Sequence, residues 1–328
     1  MASDRFSPKS HQAPAAPPGS RTCSSKQKRF AASTQTIFCT YTPESAKQRT
    51  MSTLPDDFLA KPAPGIVVNK IDFSKTTLPE YTGLYAVILD NVLSPDECDQ
   101  LITAAEDTSE GEWERAMINV GGGRQQLMTD SRNCGRIIWD SKEVVAKVWQ
   151  RIEQVPEVQE IVRLQNVPVI FGNGPAKRSE VWVLTRPNER MRFLKYVGGE
   201  YFRPHCDGSY ETPDRKERSY FTLHLYLNNA GTKPEAELAE MDPKDSVKAA
   251  KLALSGGATT FHSMSCNPDR DFDVLPKTGR ILLFQHRNLL HSGADVVQGV
   301  KYTMRTDLMY AMESSESDTQ SKMPSLDD

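Results

Sequence analysis

From Glu180 to Tyr310 the sequence is cut into short apolar runs separated by turn residues, and this rhythm limits the fold more than any other feature. The runs are Glu180–Leu184, Met191–Val197, Tyr220–Leu227, Ala258–His262, Arg280–Gln285 and Lys301–Tyr310, with Gly198-Gly199, Asn228-Asn229, Gly256-Gly257 and Lys277-Thr278-Gly279 as turn chemistry. Such lengths suit strands, and Gly and Asn supply the left-handed backbone that tight turns demand. Many short strands at this spacing make a sandwich or barrel, and a jelly roll fits their number. Upstream the period changes. Leu84–Leu89 reads as a strand, and Ser94-Pro95-Asp96-Glu97 then supplies an N-cap, a Pro at the first helical position and a capping-box Glu. Cys98, Leu101, Ile102 and Ala105 follow at helical spacing, and a second helix from about Ser141 presents Val145, Val148, Trp149 and Ile152. Each helix has one apolar stripe and must lay it on a sheet. The expected fold is α+β: a double-stranded β-helix (jelly roll) core over about 180–312, with supporting N-terminal helices.

One domain is expected over residues 66–312. Residues 1–65 are rich in Ser, Pro, Ala, Lys and Arg and nearly free of acids up to Asp56, so they read as a disordered tail. The same composition suits a mitochondrial presequence; a plain tail, or an extension upstream of a start at Met51, are the alternatives. Residues 313–328 read as a polar, flexible tail, and residues 231–254 as a charged loop with a short helix. A net charge of -3 gives no electrostatic reason to expect nucleic acid or a membrane surface as partner. No apolar run approaches the roughly 20 residues of a membrane-spanning helix. The six cysteines are scattered without a C-x-x-C pair, which favours free thiols in a reducing compartment. The expected location is cytoplasmic, or mitochondrial if residues 1–50 are a presequence.

The chemistry concentrates in two passages. In Tyr201-Phe202-Arg203-Pro204-His205-Cys206-Asp207-Gly208, strand alternation aims His205 and Asp207 to one face, about 7 Å apart at Cα, and Cys206 to the other. A histidine on a neighbouring strand would complete a set of two imidazoles and one carboxylate, which leaves iron(II) positions open for oxygen chemistry. The second passage offers it: a buried strand through Ile281-Leu282-Leu283-Phe284 leads to His291, and a turn then returns the chain at Lys301. A cation placed there can bind the distal carboxylate of 2-oxoglutarate. Arg305, four residues on and on the same face, is the rival cation; Lys301 is preferred. Among the other histidines, His224 is expected as a hydrogen-bonded interior residue, His262 at a strand end on the surface, and His286 as a ligand only if the turn lies elsewhere. Trp113, Trp139 and Trp182 are expected in the core.

These elements together resemble the prolyl 4-hydroxylase-like branch of the 2-oxoglutarate/Fe(II)-dependent dioxygenases, over roughly Leu84 to Met312. The His205-x-Asp207 pair, the distal His291 and a Lys ten residues later at Lys301 follow that pattern. The resemblance further implies that Tyr196 and Thr222 help hold 2-oxoglutarate, and Gly256-Gly257-Ala258-Thr259-Thr260-Phe261 is similar to the G-G-x-T-x-F strand. Asn188-Glu189-Arg190-Met191-Arg192-Phe193 and Arg132-Asn133 resemble a soluble subgroup. The implied cofactors are Fe(2+), 2-oxoglutarate and O2, with ascorbate as an accessory. The implied reaction hydroxylates a C–H bond of a small-molecule or peptidyl substrate and releases succinate and CO2. Halogenating relatives carry a small residue in place of Asp207, so the carboxylate points to hydroxylation. A metal-binding jelly roll without oxygenase function is the alternative, and Lys301 and Tyr196 would then share no purpose.

Overall fold

The alternation written in the C-terminal half is realised as two antiparallel sheets that face each other across a cavity. The computed structural model describes residues 54–63, 65–119, 124–230, 253–265 and 267–313, all within the compact unit 36–328. In chain order the elements that matter are β1 (Val67–Lys70), β2 (Ala86–Asp90), α1 (Pro95–Asp107), β3 (Glu114–Arg115), β4 (Arg132–Asn133), β5 (Gly135–Asp140), α2 (Lys142–Gln150) and β6 (Arg163–Gln165). They continue with β7 (Val181–Pro187), β8 (Arg190–Val197), β9 (Tyr201–His205), β10 (Glu217–Tyr226), β11 (Thr259–Phe261), β12 (Phe272–Val274), β13 (Ile281–Gln285), β14 (His291–Gly293) and β15 (Val300–Met312). The large sheet runs β1-β2-β13-β10-β15-β8-β5-β3, with β7 pairing the far end of β15 and β6 beyond it. The small sheet runs β12-β11-β14-β9-β4.

This is the expected antiparallel, jelly-roll type of architecture, and its helix content is low. Only α1 and α2 exceed five residues among the described helices. Both begin as the sequence indicated. Ser94 accepts from the Glu97 backbone while the Glu97 carboxylate accepts from the Ser94 N–H, closing the capping box. Ser141 caps α2 by accepting from the Val144 N–H. The apolar stripes of both helices, with Leu101, Ala105, Val145 and Val148 fully buried, merge with Phe193, Leu223 and Leu283 of the large sheet in one core. Trp139 and Trp182 lie in that core, and Trp113 packs at its edge.

The domain boundary needs correcting. Residues 54–63 fall inside the expected disordered tail, yet Phe58 is 3% exposed in the main core, and the backbone carbonyls of Asp56 and Lys61 accept from Lys147 and Arg151. Phe58 with the partly buried Leu54 and Leu59 is too short an apolar set to show a period, which is why composition alone misplaced the edge. The rest of the expected N-terminal tail, most of the expected insertion and the C-terminal tail lie outside the described residues. No helix among the described residues is long and apolar enough to cross a membrane.

Candidate metal centre

Register places the centre. In the ladder of β9 with β14, His205 stands directly opposite His291, so two residues far apart in sequence become cross-strand neighbours. Asp207 follows two residues past His205 as the chain leaves β9. The ligand-type atoms of His205, Asp207 and His291 all lie within 4.8 Å of one another. The His205 Nε2 is 3.6 Å from Asp207 Oδ1 and the His291 Nε2 is 3.8 Å from Asp207 Oδ2. Cys206 is exposed on the other side, in keeping with alternation.

The orientation of both rings is fixed by bonds a carbonyl can only accept. His205 Nδ1 donates to the Arg203 carbonyl at 2.8 Å, and His291 Nδ1 donates to the Leu289 carbonyl at 3.0 Å. With Nδ1 donating in each ring, Nε2 is the atom turned toward Asp207 and free to meet a metal. Burial pushes the His291 imidazole down to about 4, against the pull of Asp207, so this ring stays neutral and able to ligate. Phe202 stacks on the His205 ring at 3.7 Å between centroids, and Phe284 meets the His291 ring edge-on at 4.8 Å.

The carboxylate is held from the opposite sheet. Thr222 of β10 donates its hydroxyl proton to Asp207 Oδ2 at 2.6 Å, and Arg305 of β15 lies 2.9 Å from Oδ1. Burial works against the Asp207 charge, but the Arg305 guanidinium beside it outweighs that and holds the carboxyl well below the usual range. Thr222, expected beside 2-oxoglutarate, therefore spends its only proton on Asp207. Arg305 also reaches Asp307 at 3.4 Å, and Asp307 in turn pairs with Arg192 at 3.2 Å.

Lys301 is in a different condition. It is 2% exposed and lines the same cavity, yet among the described residues no carboxylate pairs with it. Its ammonium lies over the rings of Tyr196 at 5.2 Å and Tyr226 at 5.7 Å. Burial pushes it down to about 7. Tyr196 sits directly opposite Lys301 in the β8–β15 ladder, and burial raises its phenol, so it remains a donor. The Gly256-Gly257 pair makes room: Gly257 has φ +72°, and a Cβ there would come within 3.0 Å of Lys301 Cδ.

Three placements differ from the sequence reading or go beyond it. His224 is interior, as expected, but its buried Nε2 has no hydrogen-bond partner, and the ring lines the cavity with Thr222 two residues before it. Strand alternation from Thr222 would have found it. His286 is buried 3.7 Å from Asp307 and outside the converging set. His262 is not a free surface residue: its Nδ1 lies 3.0 Å from Asp271 and its Nε2 2.7 Å from the Ser292 hydroxyl. Ser292 is 6% exposed on a strand paired along both edges.

No protein-family model matches the sequence, and no curated protein matches it. Among solved structures, it is similar to the viral collagen prolyl hydroxylase of Paramecium bursaria Chlorella virus 1 in a 2OG complex, at 21% identity over 70% of this chain and 97% of that one, with a TM-score of 0.41. A Pseudomonas putida prolyl-4-hydroxylase matches at 15% identity over 73% of this chain and 99% of that one, also with a TM-score of 0.41. A Trichoplax adhaerens prolyl hydroxylase, solved with a hypoxia inducible factor peptide fragment, matches at 13% identity over 76% and 93% of the two chains, with a TM-score of 0.40.

Proposed function

We propose that the protein is a prolyl 4-hydroxylase-like oxygenase that uses Fe(II), 2-oxoglutarate and O2 to hydroxylate a C–H bond, releasing succinate and CO2. His205, Asp207 and His291 hold the metal in this reading, and Lys301 with Tyr196 holds the distal carboxylate of the 2-oxo acid. One observation carries it: a set of two imidazoles and one carboxylate stands in the same cavity as a buried ammonium without a counter-ion. A metal-binding jelly roll of other function would account for the first half only. A dianion that chelates the metal at one end and meets Lys301 at the other accounts for both.

Iron(II) at this place would supply oxygen activation coupled to decarboxylation of the cosubstrate. The chain's own groups do the rest. The Nδ1–carbonyl bonds orient the two imidazoles, and Thr222 and Arg305 fix the carboxylate between them. Arg305 is thereby committed to Asp207, which supports Lys301 as the cation for the cosubstrate. Leu194, Phe202 and Phe284 wall the cavity with apolar surface and keep water from the reacting carbon. The substrate is a small molecule or a peptidyl residue.

An anaerobic titration tests the reading. Protein with Fe(II) and 2-oxoglutarate should develop the weak visible band of a metal-chelated 2-oxo acid, and the band should be absent when His205→Ala and Asp207→Ala are combined. Tight iron binding by the wild type without that band would leave the metal-binding alternative standing instead.

A further inference from the structure

Three cations line the cavity: Arg132, Lys301 and Arg305. Arg305 is answered by Asp207 and Asp307. Lys301 is answered, on the reading above, by the distal carboxylate of the cosubstrate. Arg132 is left over. It is 7% exposed, its Nε has no hydrogen-bond partner, and among the described residues no carboxylate pairs with it. The Cys134 thiol beside it is a weak acceptor and no substitute for a counter-ion. A guanidinium does not shed its proton to escape burial. Burial works against this charge, and Cys134, Tyr196 and the more distant Asp207 favour it, but none of them is a carboxylate in contact; a ligand carboxylate would supply the paired partner the guanidinium lacks.

Its place says what that ligand does. Arg132 lies in β4 directly opposite Phe202 of β9, with its guanidinium 4.6 Å from the Phe202 ring centre. The other neighbour of that ring is His205, stacked at 3.7 Å. One aromatic ring therefore separates the unanswered cation from a candidate iron ligand, on the small-sheet side of the cavity. Lys301 belongs to the large sheet and Arg132 to the small one, with Cys134 and Tyr196 as neighbours of both. Stacking on Phe202 also fixes the plane of the guanidinium, which suits two-point recognition of a carboxylate.

We infer that Arg132 binds a free carboxylate of the substrate, so that the oxidised C–H bond lies a few bonds from that group, in an amino-acid-like molecule or at the carboxyl end of a peptide. This rests on the oxygenase reading, and the experiment separates the two. Wild-type protein with Fe(II) and 2-oxoglutarate is first assayed for succinate release without substrate and for the visible band; failure of both sinks the oxygenase reading itself. The substrate arm uses the twenty common L-amino acids as free acids and as primary amides, and short peptides with free and with amidated carboxyl ends. Stimulation of succinate release is measured together with calorimetric binding to the anaerobic Fe(II)–2-oxoglutarate protein.

The expected result is binding and stimulation by a free acid and not by its amide. The two sources separate on whether single amino acids suffice or only free-ended peptides do. Arg132→Gln should weaken that acid about thirtyfold, while 2-oxoglutarate binding by calorimetry stays within about twofold. Arg132→Lys should recover part of the loss, and a melting curve of each variant excludes unfolding as the cause. The inference is overturned if acid and amide act alike, if amidated peptides are the best partners, or if no free acid binds. It is equally overturned if Arg132→Gln weakens 2-oxoglutarate instead.

Discussion

The two sheets contribute opposite halves of the cavity and are built differently. The small sheet presents His205, His291 and Arg132 from strands of two to five residues, and His205 sits at a strand end beside a register shift. The large sheet presents Tyr196, Thr222, His224, Lys301 and Arg305 from strands eight to thirteen residues long, with Tyr196 and Lys301 paired one residue from their strand ends. Helices and the 54–63 segment pack on the outer side of the large sheet in the main core. The difference assigns tasks. In the proposed reading, the groups that would hold the metal sit where short strands let ring orientation be set by local carbonyls. The groups that would face the anion sit on the long strands of the opposite sheet, where burial leaves Lys301 without a carboxylate partner among the described residues. Asp207 joins the halves, since its position comes from β9 and its bonds come from β10 and β15.

Removing that joint should have the largest effect. Asp207→Ala takes away a donor to the metal and leaves Arg305 short of a buried partner. Iron binding should be lost, and the metal-free protein should be destabilised by about 3 kcal/mol. Iron titration and urea unfolding measure the two losses, and a variant that loses iron at unchanged stability would mean that Arg305 finds Asp307 sufficient. A change confined to the outer face of the large sheet should do the reverse. Phe58→Ala should cost about 3 kcal/mol by vacating a buried aromatic position, with 2-oxoglutarate and iron affinity little altered. A chain beginning at residue 64 should lose at least as much, although composition alone places the start of the fold near there.

The same contrast explains what the sequence made legible. His205-x-Asp207 is readable because alternation over three residues is enough to aim both groups. His291 and Lys301 are readable because one strand and one turn connect them. The partnership of Thr222 and Arg305 with Asp207 is not local: it depends on the registers of β10 and β15 and on how the two sheets face each other, none of which leaves a spacing in the chain. For the same reason Arg132 could be placed only by resemblance, whereas alternation from Thr222 was enough to put His224 against the cavity. Phe58 was missed because it and its neighbours Leu54 and Leu59 are too few to show a period.

Lys301 offers a prediction in which stability and function move in opposite directions. Lys301→Met removes an unanswered charge and keeps the length of the stem. The metal-free protein should gain about 1–2 kcal/mol, while 2-oxoglutarate binds about a hundredfold more weakly. The pH dependence follows from the depressed ammonium, at about 7 in the fold against 10.5 as a free side chain. Between those values the unfolded chain holds a proton that the folded chain lacks, so this group makes stability rise with pH and imposes its full cost below about 7. Urea unfolding of wild type and variant at pH 7 and at pH 9 should show the stabilising difference shrinking as pH rises. A difference that is constant or grows with pH would mean that Lys301 has a counter-ion in the free protein.

The smallest expected effect tests how tightly the large-sheet wall is fitted around that ammonium. Gly257 has a positive φ, and an added methyl would stand 3.0 Å from Lys301 Cδ and 3.2 Å from Val296 Cγ2. Those neighbours are side chains, one of them flexible, so the fold can give way. The left-handed backbone is then the main strain, and Gly257→Ala should cost about 1 kcal/mol in stability. The function should suffer in one half of the cavity only: moving the Lys301 stem should weaken 2-oxoglutarate by roughly tenfold, a loss of about 1.4 kcal/mol. Iron affinity, set by carbonyl bonds on β9 and β14 with no part of the Gly256-Gly257 turn among them, should hold. The measurement is parallel calorimetry of iron and of 2-oxoglutarate on the same preparation. Equal losses of both ligands would mean that the two walls move together and that the division between a metal-gripping sheet and an anion-facing sheet does not describe how this cavity works.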